Sequence, residues 1–148
     1  MVNKPFNQAL HDLCDPPARQ AVIKYGKMKW NVDFRENPDI YGIDLLGYIR
    51  NILCCYIEIE TRDWRNESLK CPYPSIHIPA RKEKFFQKKH TLYFVVTRDF
   101  KSAYWIPTSE IIACEKKEVS NNSVKQGEYF YDVPISKFTF VEDLHEPF

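Results

Sequence analysis

Two runs of strand character separated by a single dipeptide constrain this chain most. Residues 41–49 and 52–61 flank Arg50-Asn51, close enough to pair as a hairpin. In the second run Ile57, Ile59 and Thr61 alternate with Glu58, Glu60 and Arg62. Successive side chains of a strand point to opposite faces, so two carboxylates and a guanidinium share one face. The first run holds a lone carboxylate, Asp44, among apolar neighbours. Acidic groups on strands this apolar cost free energy unless something compensates them. A divalent cation is a compensation that also does chemistry. The alternative is a solvated sheet face on which Arg62 or cross-strand lysines pair with the two glutamates.

Around this hairpin the pattern implies a single α/β domain. A helical stretch over 5–13 brings Phe6, Leu10 and Leu13 to one side. Asp15-Pro16-Pro17 then reads as the start of a second helix, an N-cap followed by prolines whose missing N–H is harmless there. That helix carries Ala18, Ala21, Val22, Tyr25 and Met28 on one stripe. Trp30, Val32 and Phe34 alternate as a strand, and Asn37-Pro38-Asp39 makes a turn. An irregular loop is expected over 63–74 and a helix over 79–89, with Phe85 and Phe86 inward. Strands follow at 90–97 and 101–106, turning at Arg98-Asp99. Thr108-Ser109-Glu110 is expected to cap a short helix to about 114, and 115–126 to be a mobile loop. Strand character returns at 128–133 and 138–141.

The chain has 148 residues, enough for one domain that buries roughly two-thirds of its unfolded surface. Its 21 basic and 20 acidic residues nearly cancel, so attraction to a polyanion must come from local clusters. No apolar signal segment opens the chain, and no stretch approaches the roughly 20 apolar residues of a membrane span. The five cysteines lack framework spacing, which implies reduced thiols and a cytoplasmic setting. Cys54 and Cys55 are expected to point to opposite faces of their strand. Cys71 and His77 lack the second pair that a zinc site would need.

The order of these elements, with Gly42-Ile43-Asp44 on the second strand and Ile57-Glu58-Ile59-Glu60-Thr61-Arg62 on the third, resembles the PD-(D/E)XK nuclease-like superfamily. The resemblance covers roughly residues 16–108, with 109–148 as a small appendage to the same domain. It implies a restriction-endonuclease-like fold of order αβββαβ, a mixed central sheet flanked by helices. It also implies a Mg²⁺- or Mn²⁺-dependent endonuclease acting on nucleic acid, DNA foremost. Asp44, Glu58 and Glu60 would be the metal ligands. Glu60 stands where the family usually has lysine, so it would bind the ion or accept a proton from the attacking water, without supplying positive charge. Arg62 and Lys82 would then steady the phosphate. Three carboxylates within ~4–6 Å would repel one another unless a cation sat between them.

The basic run Arg81, Lys82, Lys84, Lys88 and Lys89 is the candidate for tracking a nucleic-acid backbone. A duplex cut on both strands would need two copies, hence a homodimer. The missing lysine also admits a second reading, a nuclease-like fold that binds nucleic acid or protein without cutting. His11, near the first helix, is a further candidate ligand or base. Trp64, Tyr73, Tyr104 and Trp105 either stack on bases or complete the core.

Overall fold

Small and apolar residues at helical spacing, Ala18, Ala21, Val22 and Tyr25, make one continuous buried stripe. In the computed structural model, which describes residues 8–118 and 128–146, they lie on a single helix, α1 (Gln8–Trp30). The helix runs through Pro16 and Pro17 instead of beginning there. Proline already holds a helical φ, so what the pair removes is two N–H donors. Met28 is 38% exposed and does not join the stripe. The side chains expected to pack over 5–13, and that of His11, lie outside the described ones. Asn31, in the left-handed conformation at φ 55°, ends the helix, and its amide bonds back to the Lys27 carbonyl at 3.1 Å.

The chain then enters β1 (Asp33–Glu36), β2 (Leu45–Ile49) and β3 (Ile52–Arg62), an antiparallel meander. Arg50 and Asn51 hold φ of 52° and 64°, as a two-residue hairpin turn requires. The strand expected from 41 begins only at Leu45, because 37–43 folds into a loop of its own. Register shifts between Gly47 and Tyr48, so that Gly47 pairs with Cys55 and Tyr48 with Leu53. This bulge leaves Cys54 unpaired and corrects the expectation for the two thiols. Their sulfurs are 3.8 Å apart instead of on opposite faces.

After an irregular stretch come β4 (Ser75–Pro79), a 3-10 turn (Ala80–Lys82) and the short helix α2 (Glu83–Phe86). The helix expected over 79–89 is thus only its middle part, and a strand precedes it. β5 (Thr91–Thr97) returns parallel to β3, and β6 (Ala103–Pro107) pairs antiparallel with β5. Thr108 does not cap α3 (Thr108–Ile111) but opens it, its hydroxyl 3.4 Å from the Phe86 carbonyl. The segment from 109 on enters both sheets. It gives β7 (Glu115–Glu118), β8 (Tyr129–Pro134) and β9 (Thr139–Val141). Of the expected loop over 115–126, the first four residues are thus strand, and the rest from 119 lies outside the described residues.

The result is mixed α/β. A six-stranded sheet in the order β1-β2-β3-β5-β6-β9 carries α1 on one face, and a three-stranded sheet, β4-β8-β7, covers the other. β5 is buried on both sides: Phe94 and Val96 pack towards α1, Tyr93 and Val95 towards the smaller sheet. Gly26 lets α1 approach, since a Cβ there would meet the Phe34 ring at 2.3 Å. Among the described residues no helix is long and apolar enough to cross a membrane.

Candidate active site

Asp44 owes its place to the hairpin and to the loop before it. Leu45 pairs with Ile57, so the same antiparallel register carried one step outward sets Asp44 opposite Glu58. The Asn37 amide bonds to the Asp44 carbonyl at 3.2 Å and closes the 37–43 loop. The Asp44 Oδ2 accepts the Ile59 N–H at 2.8 Å, a charge-assisted bond that fixes the carboxylate at the mouth of the strand.

Glu58 is only 2% exposed. Its Oε2 accepts from the Lys82 ammonium, which arrives on the 3-10 turn after β4. Its Oε1 is buried and accepts from no donor among the described residues, while the Asp44 carboxylate is within hydrogen-bonding reach of the Glu58 carboxyl. Burial and then the charge of Asp44 push the Glu58 carboxyl up to about 7, although Lys82 pulls the other way. Burial works against the charge of Lys82, but Glu58, Asp44 and Glu60 outweigh it and raise its pKa, so it stays an ammonium. Two carboxylates therefore face one ammonium, and with both ionised a negative charge is left over.

Glu60 shares the face of Glu58, as the alternation implies, but turns to other partners. Its Oε1 accepts from the Tyr93 hydroxyl at 2.7 Å and its Oε2 from the Arg62 Nε. Arg62 also donates to the His77 carbonyl. Burial opposes the Arg62 charge and Glu60 restores it, so the guanidinium is held charged. Tyr93 is fully buried, and burial together with Glu60 keeps its hydroxyl protonated. The expected trio of converging acids is thus a pair, Asp44 and Glu58, with Glu60 and Arg62 tied to each other. Among the described residues no three His, Cys, Asp or Glu side chains are grouped so as to hold a metal ion.

The pair nevertheless fits a small hard cation. Mg²⁺ takes one or two carboxylates and keeps several waters, and Glu58 Oε1 beside Asp44, which no donor reaches among the described residues, is an oxygen such an ion would satisfy.

Arg81, Lys84, Lys88 and Lys89 are exposed on and after the short helical segment. Lys84 lies 5.0 Å over the Phe85 ring and Lys88 4.8 Å over that of Tyr56. Cys71 and His77 do not pair. The thiol lies 3.6 Å from the Tyr73 carbonyl, whereas His77 stacks on Phe130 at 4.1 Å and faces Asp132 at 3.4 Å. Trp64 and Tyr104 meet edge-on at 5.7 Å in the core, Trp105 packs on Trp30 at 5.3 Å, and Tyr73 is 63% exposed. The residue that sequence reasoning missed is Tyr93. A hydroxyl in an otherwise apolar strand run was the available signal, since a buried tyrosine needs a hydrogen-bond partner. No protein-family model matches the chain, and no curated protein matches its sequence.

Proposed function

We propose that this chain is a metal-dependent nuclease of restriction-endonuclease-like fold that hydrolyses phosphodiester bonds in DNA in the cytoplasm. The carrying observation is Glu58: a buried carboxylate facing Asp44, with one oxygen on Lys82 and the other reached by no donor among the described residues. The element order supports the fold reading, with α1, then β1 to β3, then β4 and the helical turn, then β5 parallel to β3.

Asp44 and Glu58 would hold Mg²⁺ or Mn²⁺, which when bound offsets charge on phosphate oxygens and makes water a better nucleophile. Lys82 supplies the positive charge that Glu60 cannot, delivered from another element to the same carboxylate. Glu60 and Arg62 brace one another and the strand around Tyr93. Arg81, Lys84, Lys88 and Lys89 would meet the nucleic-acid backbone.

Incubation of plasmid DNA with the protein and Mg²⁺ or Mn²⁺ tests this. Cleavage that disappears with EDTA and with Asp44→Ala is the expected result. The Lys82–Glu58 contact already offsets one carboxylate, which favours a second reading, a module that binds without cutting. Salt-sensitive gel retardation without cleavage under any metal would establish that reading and overturn the first.

A further inference from the structure

A groove of ≈ 340 Å³ opens beside the carboxylate pair, between the 37–43 loop and α2. Its floor includes Leu46 and Tyr56, which pair across β2 and β3. Two residues further along each strand, on the same face, come Asp44 and Glu58. That step is about 7 Å, so the groove lies next to the site, although neither carboxylate lines it.

One wall is the loop. Ile40 and Tyr41 at its tip are both 83% exposed. The backbone beneath them is tied: the Asp39 N–H donates to Asn37 Oδ1 at 3.1 Å and the Tyr41 N–H to Asp39 Oδ1 at 3.0 Å. The Asn37 Nδ2 donates to the Ile43 carbonyl at 2.9 Å. A Cβ at Gly42 would lie 2.7 Å from that Nδ2, so a side chain there would push the Asn37 amide from its place. The loop therefore presents an aromatic ring to solvent from a braced frame. The opposite wall carries Lys84, Phe85 and Lys88. Asp39 is the acid lining the groove, and its Oδ1 is engaged by the loop's own backbone.

An exposed ring, Tyr41, across a groove from two ammonium groups that lie over the half-buried rings of Phe85 and Tyr56 suits one class of partner. Bases of a single strand stack on aromatic rings while its phosphates meet cations. A duplex hides its base faces and offers only backbone, so it would use the lysines and leave Tyr41 idle. We propose that the groove binds single-stranded nucleic acid, with a base on Tyr41 and phosphates against Lys84 and Lys88, and leads the strand towards Asp44 and Glu58. The cutting half of this proposal rests on the nuclease reading; the binding half stands without it. Such a path needs only one copy of the chain.

The test is fluorescence anisotropy with labelled single-stranded DNA, single-stranded RNA and the matching DNA duplex, in EDTA so that nothing is cut. Cleavage of the same oligonucleotides in Mn²⁺ is measured separately. A single strand of DNA or RNA should bind at least about tenfold tighter than the duplex. Tyr41→Ala should weaken single-strand binding about tenfold and duplex binding little, with an unchanged circular dichroism spectrum. The double variant Lys84→Gln/Lys88→Gln should weaken both and flatten their salt dependence. Equal or tighter binding of the duplex, or indifference to Tyr41→Ala, overturns the proposal. If the duplex is then still cut in Mn²⁺, the nuclease reading survives that loss. Single-strand binding as expected without any cleavage would instead leave the groove standing and remove the nuclease reading.

Discussion

Glu58 and Glu60 stand two residues apart on one face of β3, each with a basic partner, yet the fold treats them differently. Glu60 has both oxygens engaged, by the Tyr93 hydroxyl and the Arg62 guanidinium. Glu58 has Lys82 on one oxygen, another carboxylate, Asp44, as its neighbour, and a buried second oxygen that no donor reaches among the described residues. A fully bonded carboxylate braces the strand that carries it. One with negative charge to spare is a place for a cation. Residue type and exposure to the same sheet face do not separate these roles; the completeness of the hydrogen bonding does.

The largest effect should come at Asp44. Asp44→Ala should lower Mn²⁺-dependent cleavage by about 1,000-fold or more, the several kcal/mol that a bound metal supplies, read from single-turnover cutting of a labelled oligonucleotide. Next comes Lys82→Met, which leaves Glu58 without its counter-charge. Urea unfolding at about pH 8 should show a loss of about 3 kcal/mol, shrinking at about pH 5.5, where Glu58 is protonated and needs no cation.

The protein itself should show a related pH dependence. The Glu58 carboxyl is raised from 4.5 to about 7 on folding. Its stabilising contribution is therefore complete below the unfolded value and is lost as pH rises through the folded one. Thermal unfolding scans should show stability falling across that window by up to about 3 kcal/mol, with Mn²⁺ reversing the loss above it. The smallest effect belongs to the braced side. Tyr93→Phe removes one bond to a charged group and should cost about 1.5 kcal/mol in urea unfolding, while cleavage changes less than about threefold. Loss of cleavage as deep as that of Asp44→Ala would place Glu60 in the chemistry after all.

Much of this was legible in the residues. A two-residue turn at Arg50-Asn51 announces the hairpin, but its register alone would set Asp44 opposite Ile57, and it is the shift between Gly47 and Tyr48 that brings Asp44 to Glu58. Alternation over 56–62 fixes which side chains share a face. The partner of Glu60 was not legible, because Tyr93 arrives through a parallel pairing whose register no local turn sets. The second sheet was hidden for a similar reason. Ile76 and Ile78 alternate correctly, but their partners Val133 and Tyr131 lie far along the chain, and prolines at 74 and 79 read as loop and helix start. The bulge at Cys54 has no sequence signal at all, and it alone brings the two thiols together. Pro16 and Pro17 misled in the other direction: their preset φ allows a helix to continue as well as begin.

Calorimetric titration of Mn²⁺ into the protein at about pH 6 and about pH 8, beside Asp44→Asn and Glu60→Gln, puts the difference between the two glutamates to direct trial. A single ion should bind at the higher pH, more weakly at the lower, not at all in Asp44→Asn and undiminished in Glu60→Gln. No uptake at the higher pH, or uptake that survives Asp44→Asn and vanishes in Glu60→Gln, would contradict that difference.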